Sequence, residues 1–178
     1  DFSLQQYYRD IRISSLYEGT TGIQSQDLLG RKVPMQNGKA LELLVSEITK
    51  TILAASKDED LKQYAIILGD KLKQSQKVLS HLMPFAMKGN YERYLADANL
   101  FMEYMSIVVL GWLWLEMAVD AKKELTNTNR KYSEIFYESK IHTMKFYFKY
   151  EVPKTNSLVE SLMNDETLTI KKDKEHII

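Results

Sequence analysis

An all-α fold, an up-down antiparallel bundle of four long helices, is what the sequence predicts, and three observations carry it. Glycine and proline are scarce, seven and three in 178 residues, so few positions interrupt a helix. Apolar residues recur at spacings of three and four over long stretches, which is the period of one helix face. Strand-like alternation of apolar and polar residues is hard to find.

Taken in order, a first helix is expected from about Leu4 to Leu16, stopping before Glu18-Gly19-Thr20-Thr21-Gly22. A short second one starts near Ser25 as N-cap, with Gln26 and Asp27 in its first turn, and ends before Pro34. Gln36-Asn37-Gly38 reads as a turn. From Lys39 to Lys57 the residues Leu41, Leu44, Val45, Ile48, Ile52 and Leu53 trace an amphipathic helix. The next begins at Asp58 to Asp60, carries Leu61, Tyr64, Ile67, Leu68, Leu72, Leu79 and Leu82, is kinked by Pro84 and ends at Lys88-Gly89. Asn90 opens a fifth helix reaching Leu125, and a sixth spans Asn129 to Tyr150, with Pro153 beyond it. A short amphipathic piece, Asn156 to Met163, follows, and the charged stretch Lys171 to Lys174 is expected to fray. The helices between Lys39 and Tyr150 suffice to close the bundle.

Phe101 to Val119 is long and apolar enough to raise a transmembrane reading. Glu103 and Glu116 lie within it, and charge is expensive in lipid. A central core helix and no membrane span are therefore expected.

The totals exclude several classes. There are no cysteines, which removes disulfides, thiolate metal sites and a cysteine nucleophile. Basic and acidic residues number 24 each, so no net charge draws the chain to nucleic acid or to an anionic membrane. His81, His142 and His176 lack metal-ligand spacing and read as surface residues, and no metal site is expected. Glu42 and Glu47 form no Glu-x-x-His pattern, and no phosphate loop or Ser/His/Asp set appears. The opening Asp1-Phe2-Ser3 has no methionine and no signal-peptide pattern, so a piece of a longer cytoplasmic polypeptide is expected. The aromatics Tyr132, Phe136, Tyr137, Phe146, Tyr147, Phe148 and Tyr150, with Met102 and Met105, are expected to pack the core. Lys122-Lys123 and Lys171-Lys172 are expected to be solvated charge.

The informative stretch is Tyr8-Arg9-Asp10-Ile11-Arg12-Ile13 followed by Leu16-Tyr17-Glu18-Gly19-Thr20-Thr21-Gly22-Ile23-Gln24. Alone, Glu-Gly-Thr is a helix-ending loop with a glycine stop. With its flanks, the stretch resembles the last conserved block of the acyl-CoA dehydrogenase family, an arginine–aspartate helix followed by Ile/Leu-Tyr-Glu-Gly-Thr-x-x-Ile-Gln. The continuation Asp27-Leu28-Leu29-Gly30-Arg31-Lys32 resembles a methylthiopropionyl-CoA dehydrogenase-like subgroup with an appended C-terminal helical domain. On that resemblance, residues 1–33 are the last helices of the family's helical domain with its catalytic loop, and 34–178 the appended four-helix-type domain.

The resemblance implies a reaction and roles. Family members oxidise an acyl-CoA thioester to the trans-2-enoyl form, a glutamate removing the α-proton while the β-hydride passes to flavin N5. Glu18 stands at the catalytic position, its main-chain N–H one arm of an oxyanion hole. Gly19 lets the backbone approach the substrate, and Thr20, Thr21, Gly22 and Gln24 lie along the FAD. One position departs: many straight-chain members have Gln where this chain has Gly22, which offers only its main chain. Arg9, Asp10 and Arg12 are expected to form structural ion pairs. An electron-transfer flavoprotein as acceptor and a homo-oligomeric full enzyme follow by the same resemblance, and the fragment alone is expected to be inactive. The alternative is a non-catalytic helical interaction or dimerisation module.

Overall fold

The structure is a computed structural model, and it describes residues 4–17, 19–166 and 168–170. Every regular element among them is helical. They are α1 (Leu4–Arg12), α2 (Thr21–Asp27), α3 (Met35–Ala55), α4 (Lys62–Met87), α5 (Tyr91–Leu95), α6 (Ala98–Leu125), α7 (Glu134–Tyr150) and α8 (Thr155–Leu162). Short 3₁₀ turns follow α1 at Ile13–Ser15 and precede α8 at Val152–Lys154, and a π turn continues α2 over Leu28–Lys32.

The four long helices α3, α4, α6 and α7 form the bundle, with α6 at its centre. α6 packs against α2, α3, α4, α7 and α8, and Phe101, Tyr104, Val108, Leu115 and Ala118 point into the core. α4 meets it with Ala65, Leu68, Val78 and Leu82, α3 with Ile48 and Ala55, and α7 with Ile141, Met144 and Phe148. Tyr104, Trp112 and Lys71 carry polar groups into this core, and each is satisfied. Tyr104 donates from its hydroxyl to the Lys71 carbonyl at 2.5 Å, and Trp112 Nε1 donates to Thr51 Oγ1 at 2.8 Å. The buried Lys71 donates from its ammonium to Asn156 Oδ1 and Gln74 Oε1 at 2.7 and 3.1 Å, and burial holds its pKa below the usual lysine value. By length and hydropathy the stretch Tyr91–Leu125 could cross a membrane. Its position amid five other helices gives the apolar side chains a protein environment instead, although Leu110, Leu113 and Met117 form an outward stripe.

Several boundaries differ from expectation, each for a local reason. α2 begins at Thr21, so Ser25 is no N-cap but a buried residue inside the helix. The expected fifth helix is two. Asn90 does cap the first, accepting the Arg93 N–H at 3.1 Å, but Asp97 leaves helical geometry (φ −109°, ψ 28°). Its carboxylate lies 3.8 Å from Arg93 and accepts from Thr169 Oγ1 at 3.2 Å. α7 starts at Glu134 rather than Asn129, because Ser133 Oγ accepts the Phe136 N–H at 3.3 Å and caps it there. The first helix gives way to a 3₁₀ turn after Arg12. The expected ion pairs on it are absent among the described residues: Gln6 instead donates to Asp10 Oδ1 and accepts from Arg9.

The aromatic stripe divides by helix face. Tyr137 and Phe148 are buried and Tyr147 partly so, whereas Tyr132, Phe136, Phe146 and Tyr150 are exposed and stack in pairs. Met105 is buried as expected. His81 is no surface residue. It is mostly covered, with Nε2 3.7 Å from Asp165, while His142 is exposed. Lys122 is not merely solvated but pairs with Asp60, tying the end of α6 to the start of α4. His176 and the stretch 171–174 lie outside the described residues.

The turn Gln36-Asn37-Gly38 is present as three left-handed residues with φ of 50°, 57° and 84°. It turns the chain into the regular part of α3. Nothing lies within 4 Å of the position a Gly38 Cβ would take, so the cost of a side chain there is conformational alone. Gly38→Ala is expected to destabilise the chain by about 1–2 kcal/mol, read as a lower urea midpoint at unchanged slope.

Candidate active site

The motif segment lies at one end of the bundle, and its two halves are placed differently. Among the described residues α1 buries no side chain, and it packs mainly against the 3₁₀ turn that follows it. Its apolar residues Leu4, Tyr7, Tyr8 and Ile11, with Ile13, Leu16 and Tyr17 beyond, are all more than half exposed. Leu4, Tyr7, Tyr8 and Ile11 recur at spacings of three and four and so share a face of α1, the pattern of a helix made to be covered. Among the described residues nothing covers it.

Glu18 lies outside the described residues. The segment after it is described. Gly19 is packed under the Gln24 side chain: a Cβ there would lie 2.6 Å from Gln24 Nε2. Thr20 is the N-cap residue with φ −53° and ψ 129°, and its carbonyl accepts the Gln24 N–H at 3.1 Å. Its hydroxyl caps nothing. Thr21 and Gln24 are exposed, and the space where Gly22 would carry a side chain is empty to 4 Å. The structure thus brings Gly19, Thr20, Thr21, Gly22 and Gln24 together on one turn with an open outer surface.

The inner surface of the same turn is fastened to the bundle. Ser25 is the one α2 residue that is buried, at 1% exposure. Its Oγ donates to the Gly22 carbonyl at 2.9 Å and is hydrogen-bonded to Asn99 Oδ1 at the start of α6. Just beyond, Leu29 is wholly buried, and its carbonyl accepts from the Tyr94 hydroxyl at 2.7 Å. Burial pushes the Tyr94 pKa upward, so the phenol stays a donor. Leu95 closes over Gly30, where a Cβ would stand 3.3 Å from its Cδ2. Asp27 pairs with Arg31 on the outside of the π turn. That hydrogen bond holds the Asp27 carboxyl below its usual range.

Comparison with known proteins shows the family of the chain. The family model described as "Acetyl-CoA dehydrogenase C-terminal like" matches residues 44–172, most of the bundle. The chain belongs to the acyl-CoA dehydrogenase family, as a C-terminal-like domain. A broad-specificity linear acyl-CoA dehydrogenase of Mycobacterium tuberculosis is 29% identical over 174 residues, 93% of this chain and 28% of that protein. A butyryl-CoA dehydrogenase of Syntrophomonas wolfei is 28% identical over 94% of this chain and 27% of its own length. A 3-methylmercaptopropionyl-CoA dehydrogenase of Ruegeria pomeroyi is 32% identical over 67% of this chain and 20% of its own.

Two features of the match bear on the site. The chain spans between a fifth and three tenths of the length of these acyl-CoA dehydrogenases. The first two are matched over more than nine tenths of this chain, so much of the motif segment falls inside the aligned part and not only the bundle. Sequence reading missed Ser25 as an anchor and missed Asn99, Tyr94 and Leu95 altogether. A serine at mid-helix among exposed neighbours leaves only a faint trace in sequence, and Asn99 lies more than 70 residues from its partner.

Proposed function

We propose that this chain is the C-terminal part of a flavin-dependent acyl-CoA dehydrogenase that oxidises an acyl-CoA thioester to the trans-2-enoyl-CoA, with Glu18 as the base that takes the α-proton. The observation that carries the reading is the run Leu16-Tyr17-Glu18-Gly19-Thr20-Thr21-Gly22-Ile23-Gln24 set directly ahead of a bundle of that family. In this reading residues 1–33 complete the helical wall of the active site and 34–178 form the appended domain.

The residues fit a flavin on two counts. The turn Gly19–Gln24 leaves its outer surface open, and no side chain stands at Gly22. α1 offers an uncovered apolar face for the remainder of the longer polypeptide to close over. Thr20, Thr21, Gly22 and Gln24 are the residues that would line FAD, Gln24 folding back over Gly19. When bound, FAD supplies the hydride acceptor. The chain's own work is to hold a carboxylate against the α-carbon, to present a main-chain N–H toward the thioester oxygen, and to keep water out once α1 is covered. Gly19 keeps the backbone there free of a Cβ toward the substrate.

The uncovered face of α1 also supports inactivity of the isolated chain, since half of the site's wall is supplied from elsewhere. An electron-transfer flavoprotein as electron acceptor, and a homo-oligomer of the full enzyme, complete the reading. The outward stripe Leu110, Leu113 and Met117 on α6 favours a second role for the bundle as a dimer-forming surface. The test is turnover by the full-length polypeptide with an artificial electron acceptor. Loss of a pair of hydrogens from an acyl-CoA, read by mass spectrometry, is expected. Unchanged acyl-CoA across chain lengths from a flavin-loaded preparation would refute the activity.

A further inference from the structure

We propose that Asn99 is a positioning residue: acting through Ser25, it fixes the first turn of α2 and with it the segment Thr20–Gln24. This rests on the acyl-CoA dehydrogenase reading, in which that segment lines the flavin. Little else buries α2. The helix has seven residues, and Ser25 alone among them is buried. An apolar side chain would anchor a helix to a bundle without fixing its rotation, because burial has no direction. A hydrogen bond does have direction. Ser25 and Gly22 lie three residues apart, so they share a face, and the Ser25 hydroxyl reaches the Gly22 carbonyl.

The pair with Asn99 gains from its chemistry. A hydroxyl carries one proton and two lone pairs. With that one proton, Ser25 Oγ can donate to the Gly22 carbonyl or to Asn99 Oδ1, and both oxygens lie within its reach. The Ser25 hydroxyl thus ties the Gly22 carbonyl to the Asn99 side chain. The Tyr94 bond to the Leu29 carbonyl and the contact of Leu95 with Gly30 hold the far end of the same segment. Two fastenings more than a turn apart leave α2 neither free to roll nor free to tilt.

The experiment is a double-mutant cycle of Ser25→Ala, Asn99→Ala and the pair, made in the full-length flavoprotein, with Asn99→Leu added because it keeps a similar size and loses the acceptor. A misplacement near 1 Å at a reacting group costs on the order of a hundredfold. Each variant is therefore expected to slow anaerobic flavin reduction by about ten- to a hundredfold. KM should change far less than kcat, and flavin content should hold. The double variant should be no slower than either single one. Two readouts do not depend on turnover. The visible flavin band of the oxidised enzyme should shift in all variants, Asn99→Leu included. In the 178-residue chain itself, amide exchange at Ile23 to Gln26 should quicken while that of α4 and α6 does not. Parent-like rates and spectra, additive losses, or rates that fall only with flavin content would overturn the positioning role. A parent that no acyl-CoA can reduce would instead bring down the dehydrogenase reading.

Discussion

Glu18→Gln in the full-length flavoprotein is expected to slow reduction of the flavin by acyl-CoA on the order of 10²–10⁴-fold, the usual worth of a positioned general base. The substitution keeps shape and hydrogen-bonding reach while removing the group that can hold a proton, so flavin content and stability should stay at parent values. Stopped-flow bleaching at saturating substrate reads the chemical step without the acceptor. KM should move little, because the carboxamide still fills the same space. Thr21→Ala is the contrasting case. Thr21 is exposed in this chain and belongs to the turn that would line the flavin, so its loss should weaken flavin retention more than the rate per bound flavin.

Phe101→Ala is expected to cost about 3–5 kcal/mol of stability, the range for emptying a fully buried aromatic site. Phe101 is 0% exposed on the central helix, where the side chains of several helices meet. At about 2–4 °C per kcal/mol for a chain of this size, the melting temperature should fall by roughly 6–20 °C. Phe146→Ala supplies the control. That ring is 53% exposed against Tyr150, and removing it should change stability by less than about 0.5 kcal/mol. Equal losses from the two substitutions would mean that the face carrying Phe146 is covered in solution, as a dimer through α7 would require.

Sequence pattern was a good guide where one period ran unbroken and a poor one where local polar chemistry intervened. The amphipathic helix from Lys39 and the stop at Lys88-Gly89 were legible, because apolar spacing and a left-handed glycine (φ 77°) act locally. The break at Asp97 was not, because it goes with contacts to Arg93 and Thr169, and Thr169 is 72 residues away. The aromatics of α7 could not be sorted into core and surface by composition. Their division depends on which face of the helix meets α6, and Tyr147 shows it by donating its hydroxyl to the Ile107 carbonyl at 3.2 Å.

The site divided in the same way. The run from Tyr17 to Gln24 was legible as a motif, since its order and spacing stand in the chain itself. How that run is held was not legible, because the holding is done by Asn99 and Tyr94 across a fold that must form first. The resemblance could name the residues proposed to face a flavin, whereas only the structure could show what stands behind them.

The most direct measurement is an anaerobic titration of the full-length protein with acyl-CoA thioesters of graded length, followed at the visible flavin band. The account predicts that the protein carries flavin as purified and that at least one thioester bleaches it with the stoichiometry of its sites. A protein that binds no flavin, or whose flavin no acyl-CoA can reduce, would contradict the account and leave the bundle as a structural or interaction module.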